Sequence, residues 1–372
     1  MTTLSQLNAE NLTVMIMAGG TGGHVFPALA VADALRKKGA NVEWLGTPRG
    51  IENTLVPAAS INLHHIGVEG VRGRGALGLL KSPFLIVSAI AQAIAIFKKV
   101  KPQVVIGFGG FASGPGGVAA KMLNKPLVIH EQNAIAGTTN RLLSKIATKI
   151  LSAFSGAFAS AQTEVTVVGN PVRALIANLP TPLERYQVRD EKEEPLHLLV
   201  LGGSLGAKAI NELVPQAIAK LPITERPVVH HQSGKNHLES TIANYMQNQV
   251  NAKVDAFVDD MAAAYAWADV VVCRAGALTV SELMAAGVAA LLIPLPSAID
   301  DHQTHNAAVL VRANAGLVVA QQDLTAEKLA GILLNQLHER AVLKRMATNA
   351  RSLALPQAAE TVAEICVEVA RG

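Results

Sequence analysis

A glycine-rich stretch near the N-terminus, GGTGGHVFP at residues 19–27, has the residue types best suited to chemistry. Glycines let a backbone approach a ligand closely, and the free N–H groups at the start of a helix attract anions. The stretch therefore predicts a site for a phosphate-bearing ligand. It is not the complete dinucleotide-binding fingerprint, because Val25 stands where the third glycine would fall.

His24 lies directly beside these glycines. The positive end of the following helix disfavours an imidazolium there and keeps the ring neutral. A neutral imidazole can accept a proton from an attacking hydroxyl, so His24 is a candidate general base. The alternative is a histidine that only hydrogen-bonds the backbone of its own loop.

Two more strand ends in the first half of the chain carry glycines or polar groups. They are a glycine-rich loop at residues 109–117 and the sequence HEQN at residues 130–133. Ligands bind outside the carboxyl ends of parallel strands, so these loops are expected to line one side of a crevice with the first loop. A solvated loop is the alternative for HEQN.

The second half repeats the opening pattern. Residues 196–214, LHLLVLGGSLGAKAINELV, again read as an apolar strand, a glycine turn and a helix, which predicts two Rossmann-like domains in tandem. Later, a loop with Gly276 opens a helix that contains Glu282. The Glu282 carboxylate could accept hydrogen bonds from both hydroxyls of a ribose, or it could simply complement the helix dipole.

The elements that must position these residues predict an α/β protein. Half of the 372 residues are hydrophobic and 3% are aromatic, which suits buried parallel strands covered by helices. This length favours two domains. The polar segment 178–195 is interpreted as a domain boundary or a surface insertion, and the helix after Pro356 as a return to the first domain.

Charge, cysteine content and motifs argue against several other classes of protein. A net charge of +4 does not by itself imply nucleic acid, although it suits an anionic substrate or membrane surface. Two cysteines give no disulfide framework, and no P-loop, zinc spacing or Asp-x-Asp motif occurs, so no metal is expected. If the ligand reacts by losing a diphosphate, this leaving group would be stabilised without a metal. Backbone N–H groups and hydroxyls at Ser204 and at residues 278–279 could do so.

The N-terminus lacks the pattern of a signal peptide, and the apolar run at residues 83–97 is shorter than the ~20 residues of a spanning helix. Residues 71–85, VRGRGALGLLKSPFL, mix cations and apolar groups among glycines that discourage regular structure. Such a mixture suits a membrane-surface patch. An ordinary loop leading into a buried helix is the alternative.

Together these motifs resemble the bacterial N-acetylglucosaminyltransferases that form the lipid-linked disaccharide precursor of peptidoglycan. The resemblance covers most of the chain, from GGTGGHVFPALAVA through GPGG, HEQN, VGNPVR, GGSLGA and HQSGK to RAGALTVSE and HQTHNA. It implies the GT-B fold, in which two Rossmann-like domains face a cleft. Residues 1–173 with about 355–372 would bind the acceptor and the membrane, and residues 174–354 the UDP-sugar.

The resemblance also implies roles for residues at the matching positions, with His24 in the segment that carries the candidate base. Donor contacts are expected at Thr21, Gly22, Gly23, Asn133, Arg173, Ser204, Val258 through its backbone, Ala277, Leu278, Thr279, Val280, Ser281, Glu282 and Gln303. Loops facing the acceptor diphosphate comprise Gly19, Gly20, Gly109, Gly110, Ser113, Gly114, Gly116 and Gly117. The membrane patch comprises Arg72, Arg74, Leu77, Leu79, Leu80, Lys81, Phe84 and Leu85.

The reaction implied is an inverting, metal-independent transfer of N-acetylglucosamine from UDP-GlcNAc to the C4 hydroxyl of undecaprenyl-diphospho-N-acetylmuramoyl-pentapeptide, or lipid I. The resemblance places the protein peripherally on the cytoplasmic face of the inner membrane. Expected partners are UDP-GlcNAc, lipid I and anionic phospholipid, with other cell-wall synthesis proteins also suggested; neither nucleic acid nor a cofactor is expected. A UDP-sugar 2-epimerase and a non-catalytic nucleotide-sugar sensor remain the alternatives.

Overall fold

Short apolar runs that end at glycine or polar residues form the strands of this protein, as burial on both faces of a parallel sheet requires. The structure, a computed structural model, describes residues 9–68, 76–158, 164–192, 195–203 and 206–372. The chain divides into two units, one formed by Met1–Arg173 with Leu355–Gly372 and the other by Ala174–Ala354. Each contains one parallel sheet flanked by helices, so the predicted α/β class with Rossmann-like halves is confirmed.

Seven strands form the sheet of the first unit, in the order β3-β2-β1-β4-β5-β6-β7. They are β1 (Thr13–Met17), β2 (Asn41–Gly46), β3 (Asn62–His65), β4 (Val104–Gly107), β5 (Leu127–Glu131), β6 (Lys149–Ser152) and β7 (Val165–Val167). Because the order reverses beside β1, the loops after β1 and β4 lead to opposite faces of the sheet. This switch point is where a ligand site is expected.

The helices of the first unit cover both faces of its sheet. They are α1 (Gly22–Lys37), α2 (Glu52–Ala58), α3 (Ala76–Val100), α4 (Ser113–Met122) and α5 (Thr138–Leu143). One core cluster contains side chains of α1 and the other contains Ala89, Ala93 and Phe97 of α3. This spacing of four residues makes one apolar stripe along α3, and α3 packs against α4.

The second unit has six strands in the order β10-β9-β8-β11-β12-β13. These strands are β8 (His197–Leu201), β9 (Val228–Gln232), β10 (Lys253–Asp255), β11 (Val270–Cys273), β12 (Ala289–Leu292) and β13 (Gly316–Val318). The helices are α6 (Ala174–Ala177), α7 (Pro182–Lys192), α8 (Lys208–Ala219), α9 (Leu238–Gln247), α10 (Met261–Trp267), α11 (Ala277–Ala286), α12 (His302–Arg312), α13 (Ala326–Asn335) and α14 (Arg340–Ser352). The order reverses beside β8, as it does beside β1, so the two units repeat one plan.

The last helix, α15 (Ala358–Arg371), belongs to the first unit. It packs against α1 and buries Val362, Ala363, Cys366 and Val367 in the same core cluster. A Lys38–Glu364 ion pair of 2.9 Å lies at the edge of this contact. The C-terminal segment therefore completes one face of the first sheet.

Two sequence interpretations require correction. Residues 182–192 are neither a boundary nor a loose insertion, because α7 buries Arg185 and Arg189 and pairs Arg189 with Asp269. The irregular structure expected before residue 86 is also wrong in part, because α3 already begins at Ala76. In both places a charged or glycine-containing sequence forms a helix.

Candidate active site

The loop after β1 has the geometry of an anion site. Gly20 has a φ of +91°, which few residues other than glycine adopt, and α1 begins two residues later at Gly22. Thr21 is the N-cap residue, and its side chain does not cap the helix. In the first turn, the N–H groups of His24 and Val25 both donate to the Thr21 carbonyl at 3.2 Å, which leaves those of Gly22 and Gly23 to bind a phosphate group.

The loop after β4 contacts the first loop directly. Gly109 and Gly110 have φ values of +89° and +80°, and a Cβ on Gly110 would lie 2.6 Å from the carbonyl oxygen of Gly19. The buried hydroxyl of Ser113 lies 3.0 Å from the Met17 carbonyl and 2.6 Å from the Gly109 carbonyl, and donates its hydrogen to either. The two glycine loops therefore form one surface.

His24 lies in the first turn of α1, against the second loop. A Cβ on Gly109 would lie 3.2 Å from both Cδ2 and Nε2 of the imidazole. The missing side chain at residue 109 therefore leaves room for the ring. The structure therefore brings the candidate base together with both glycine loops.

The end of β5 carries a buried polar cluster rather than a solvated loop. The Glu131 carboxylate accepts hydrogen bonds from the N–H and the side-chain amide of Asn133, at 2.9 and 3.0 Å, and from the Asn140 amide at 2.9 Å. His130 is completely buried beside it, with Nε2 2.9 Å from the Gly169 carbonyl, and burial lowers the pKa of His130 to about 4. Glu131 thus orients Asn133, a predicted donor contact.

Arg173, another predicted donor contact, is exposed at the end of the first unit. Its guanidinium carbon lies 5.8 Å from the centre of the Phe26 ring, which is a cation–π distance. Phe26 belongs to α1, two residues after His24. The structure therefore places Arg173 and the candidate base on neighbouring parts of the first unit.

In the second unit, the start of α11 provides a comparable anion site. Gly276 is its extended N-cap, and the N–H groups that follow belong to Ala277, Leu278 and Thr279. The Ser281 hydroxyl donates to the Ala277 carbonyl at 2.8 Å, so it is bound within the helix. Backbone N–H groups are the donors that this helix start offers to a diphosphate.

Glu282 lies in the second turn of α11, and the first turn contains no acidic residue. This position weakens the interpretation that Glu282 only complements the helix dipole, since that effect is strongest in the first turn. The side chain is buried, and the Tyr265 hydroxyl donates to Oε2 at 3.1 Å. The carboxylate is therefore held in a defined orientation.

Two further predicted donor contacts are built into the loops of the second sheet. The Gln303 amide oxygen accepts the N–H groups of Ala275 and Leu295, at 3.2 and 3.0 Å, which joins the loops after β11 and β12. The N–H of Val258 donates to Gln232 Oε1 at 3.0 Å. A backbone contact from Val258 to a ligand would therefore use its carbonyl oxygen.

A cavity of about 600 Å³ opens beside the switch point of the second sheet. Gly202, Gly203 and Gly206 line one side, and Arg274 and Gln321 line another. The Arg274 guanidinium donates to Gln321 Oε1 at 2.6 Å and to the Ile293 carbonyl at 3.0 Å, which fixes this wall. The cavity lies where ligands of doubly wound sheets bind.

Comparison with known proteins agrees with this arrangement. Residues 14–152 match the glycosyltransferase family 28 N-terminal domain, and residues 197–362 match its C-terminal domain. A Cellvibrio japonicus protein named UDP-N-acetylglucosamine--N-acetylmuramyl-(pentapeptide) pyrophosphoryl-undecaprenol N-acetylglucosamine transferase is 65% identical over 364 residues, covering 98% of this chain and 100% of that protein. The chain belongs to glycosyltransferase family 28.

Two other members of glycosyltransferase family 28 extend the match. A Pseudomonas entomophila protein of the same name is 52% identical and covers 98% of this chain and 99% of its own. The crystal structure of Acinetobacter baumannii MurG has 42% identity and a TM-score of 0.83, with 96% of this chain and 99% of that chain covered. The two Rossmann-like units are those of a GT-B glycosyltransferase.

Some predicted residues of this family member lie away from a ligand surface. A Cβ on Gly116 would lie 2.3 Å from Met17 Sδ, and one on Gly117 would lie 2.6 Å from Leu143 Cδ2. These glycines allow α4 to pack closely on its neighbours. Gly114 is less crowded, with Thr139 Cγ2 at 3.7 Å, and Ser204 lies outside the described residues.

Two buried groups that hold these loops, Glu52 and Tyr265, had no predicted role, and they bond Gly20 and Glu282. Glu131 and Gln232 belong to the HEQN and HQSGK motifs, and they bond Asn133 and Val258. An acid at the start of a short helix after GTPRG was the available signal for Glu52. Among the described residues, no three His, Cys, Asp or Glu side chains are grouped as metal ligands.

Proposed function

We propose that this member of glycosyltransferase family 28 transfers N-acetylglucosamine from UDP-GlcNAc to the C4 hydroxyl of undecaprenyl-diphospho-N-acetylmuramoyl-pentapeptide, a step of peptidoglycan synthesis. Relatives matched over nearly their whole length carry this activity in their names. The observation that supports the proposal is that each unit has a helix N-terminus suited to an anion at the switch point of its sheet. Donor and acceptor each contain a diphosphate, so two such sites are required.

On the donor side, the first turn of α11 would bind the diphosphate of UDP. Its N–H groups and the positive end of the helix dipole stabilise the charge that develops as UDP leaves. Glu282, oriented by Tyr265, would accept hydrogen bonds from the ribose hydroxyls. Arg173 would add a positive charge, and no metal cofactor is included in this proposal.

On the acceptor side, the loops after β1 and β4 would bind the diphosphate of lipid I, with His24 as the base. The C4 hydroxyl of the muramyl sugar gives its proton to the imidazole while its oxygen bonds to C1 of N-acetylglucosamine. The bond from C1 to the UDP oxygen breaks, and its electron pair leaves with UDP. Attack opposite the leaving group inverts the configuration at C1.

We also propose that the surface of α3 attaches the protein peripherally to the cytoplasmic face of the membrane. Phe84 is 80% exposed and Val87 66%, although both are large apolar side chains, and Leu85 and Ile86 are exposed beside them. The neighbouring helix α4 ends at exposed Met122, next to Lys121. Apolar groups beside cations favour an anionic phospholipid surface.

The rest of the predicted patch precedes Phe84 in the chain. Arg72 and Arg74 lie outside the described residues, and Leu77, Leu79, Leu80 and Lys81 belong to α3. Residues Pro83–Val100 of α3 are long and apolar enough to cross a membrane by length and composition, and 17% of that window is buried. We favour surface attachment because Ala89, Ala93 and Phe97 pack α3 onto its own unit.

The decisive experiment measures UDP release with and without a soluble lipid I analogue. Release that requires the acceptor, with formation of the disaccharide, supports transfer. His24→Ala is expected to lower kcat by about 10²- to 10⁴-fold and to leave UDP-GlcNAc affinity within about twofold. Epimerised free sugar without acceptor would indicate the 2-epimerase, and donor binding with no product would indicate a sensor.

A further inference from the structure

A carboxylate that the proposed mechanism does not use lies directly behind the first glycine loop. Glu52 begins α2 and is completely buried. Its Oε2 accepts the N–H of Gly20 at 2.9 Å, and its Oε1 accepts the N–H of Thr47 at 3.2 Å. The Thr47 hydroxyl lies 2.9 Å from the same Oε1 and 2.7 Å from the Arg49 carbonyl, and its single hydrogen is donated to one of them at a time.

Three glycines make the space for this carboxylate. A Cβ on Gly19 would lie 2.5 Å from Glu52 Oε1, and one on Gly50 would lie 2.2 Å from Oε2. A Cβ on Gly46 would lie 3.0 Å from the Glu52 Cγ. The glycine at residue 19 is therefore required by the acid behind the loop as well as by a ligand in front of it.

The contact determines which N–H groups the loop can present. Glu52 takes the Gly20 N–H into the interior, so this group cannot bind a phosphate. The Trp44 indole donates to the Ala18 carbonyl at 2.8 Å and holds the preceding peptide. With both peptides fixed, the donors left for an anion are the Gly22 and Gly23 N–H groups at the start of α1, since those of His24 and Val25 bond the Thr21 carbonyl.

A buried acid next to an anion site has a cost. Removing a carboxylate from water is unfavourable, and its charge repels a phosphate group. The hydrogen bonds from Gly20 and Thr47 offset the burial, but not the repulsion. An acid in this place is therefore best explained by the loop geometry that it maintains.

We propose that Glu52 is a positioning residue for the acceptor diphosphate, which it affects by fixing the Gly19–Gly20 peptide. The inference rests on the proposed function, because it assumes that this loop binds the diphosphate of the lipid acceptor. It assigns Glu52 no contact with either substrate. We expect a larger effect on the acceptor than on the donor, because α11, which would bind the donor diphosphate, belongs to the second unit and only the predicted donor contacts at residues 21–23 lie next to the fixed peptide.

Steady-state kinetics of the full chain test this inference, with UDP-GlcNAc and a soluble lipid I analogue varied separately. Glu52→Gln keeps the size of the side chain but places an amide group where the N–H groups of Gly20 and Thr47 point. We expect the acceptor KM to rise about tenfold or more. The calorimetric Kd for UDP should stay within about twofold of the wild type, and the donor KM should rise less than the acceptor KM.

Glu43→Gln is the matched control. Glu43, on β2, is another buried carboxylate of the first unit. It bonds Asn62 and His64 instead of the loop, at 3.1 and 2.7 Å. This variant should leave the acceptor KM unchanged even if its thermal midpoint falls. A similar rise of the acceptor KM in both variants would overturn the inference, because any loss of buried charge would then suffice.

Thr47→Val provides a milder test if Glu52→Gln does not fold. It removes one hydroxyl near Oε1 and keeps the Thr47 N–H, so we expect a rise of the acceptor KM by about two- to fivefold. An unchanged acceptor KM, or equal changes for donor and acceptor, would contradict the positioning role. If the wild type shows no acceptor-dependent transfer, the proposed function fails instead, which is a separate result.

Discussion

At the scale of single residues, Tyr265 and Glu282 form a buried contact in the second unit. The tyrosine is completely buried, and its hydroxyl is 3.1 Å from Glu282 Oε2. A carboxylate that binds two ribose hydroxyls must keep one orientation. In the proposed function, the phenol would therefore contribute to nucleotide binding by orienting Glu282.

We expect Tyr265→Phe to raise the Kd for UDP about three- to tenfold, because the ring still packs and only the hydrogen bond is lost. Isothermal titration calorimetry measures this change. Tyr245→Phe is the control, since Tyr245 is also buried and its hydroxyl bonds His231 at 2.9 Å, away from Glu282. The rise of the Kd in Tyr265→Phe should be smaller for 2′,3′-dideoxy-UDP, which lacks the ribose hydroxyls. An equal rise for both ligands would contradict the idea that Tyr265 acts through the contact of Glu282 with these hydroxyls.

His130 gives the first unit a predictable dependence on pH. Burial lowers the pKa of His130 from 6.5 to about 4, so only the unfolded chain binds this proton between those values. The stability contribution is complete above pH 6.5 and is lost as the pH falls to about 4. The free energy of unfolding should therefore decrease by up to about 3 kcal/mol on acidification.

Denaturant unfolding at several pH values tests this expectation. His130→Gln should flatten the dependence between pH 6.5 and 4. His65→Gln serves as the control, because His65 is exposed on β3 and bonds Asn53 at 2.8 Å. If His130→Gln retained the full slope, another group would be responsible.

Single residues were predictable from the sequence only where the signal is local. His24 and the glycines of the first loop are adjacent in sequence, so their proximity needed no tertiary information. Glu52 is 32 residues from Gly20, and Tyr265 is 17 residues from Glu282. Such pairs meet only through the order of the strands, which one sequence does not specify.

At the scale of elements, α3 combines a buried stripe with an exposed apolar end. Ala89, Ala93 and Phe97 are buried, whereas Phe84 and Val87 are exposed. The alternative of a loop leading into a buried helix does not fit this first part of α3. If the exposed end enters a membrane interface, its loss should weaken attachment and leave the fold intact.

Replacing both Phe84 and Val87 with Ser should raise the Kd for vesicles containing phosphatidylglycerol at least about tenfold, because two large apolar side chains no longer leave water. Vesicle co-sedimentation measures this affinity. Ile223→Ser is the matched control, since Ile223 is 82% exposed in the second unit. If the folded double variant sedimented with vesicles as the wild type does, the membrane-binding surface would lie elsewhere on the protein.

The elements show where sequence patterns are reliable and where they are not. The strand, glycine turn and helix at residues 12–38 and 196–219 were predictable, because apolar runs and glycines mark them locally. The start of α3 was missed because Gly78 lowers helix propensity without preventing a helix. In α7, a run of charges resembles a solvated segment, although Arg185 and Arg189 bond backbone carbonyls in the interior.

At the scale of the whole molecule, the two units repeat one arrangement of strand, glycine turn and helix. The strand order is the same in the two sheets through six strands, and each has a glycine turn and a helix start beside its central strand. The groups that support the two proposed sites differ. His24 and Glu52 occur in the first unit, whereas Glu282 and Tyr265 occur in the second.

The two proposed diphosphate sites lead to a prediction about divalent cations. In the proposed mechanism, positive charge at both diphosphates comes from helix N-termini and from Arg173, which are parts of the chain itself. We therefore expect acceptor-dependent transfer to persist within about twofold after dialysis against EDTA. UDP release with the soluble lipid I analogue measures it, and His24→Ala gives the background rate. Loss of transfer that returns with Mg²⁺ or Mn²⁺ would show that the helix starts do not suffice, and that a cation bound with the substrate completes the site.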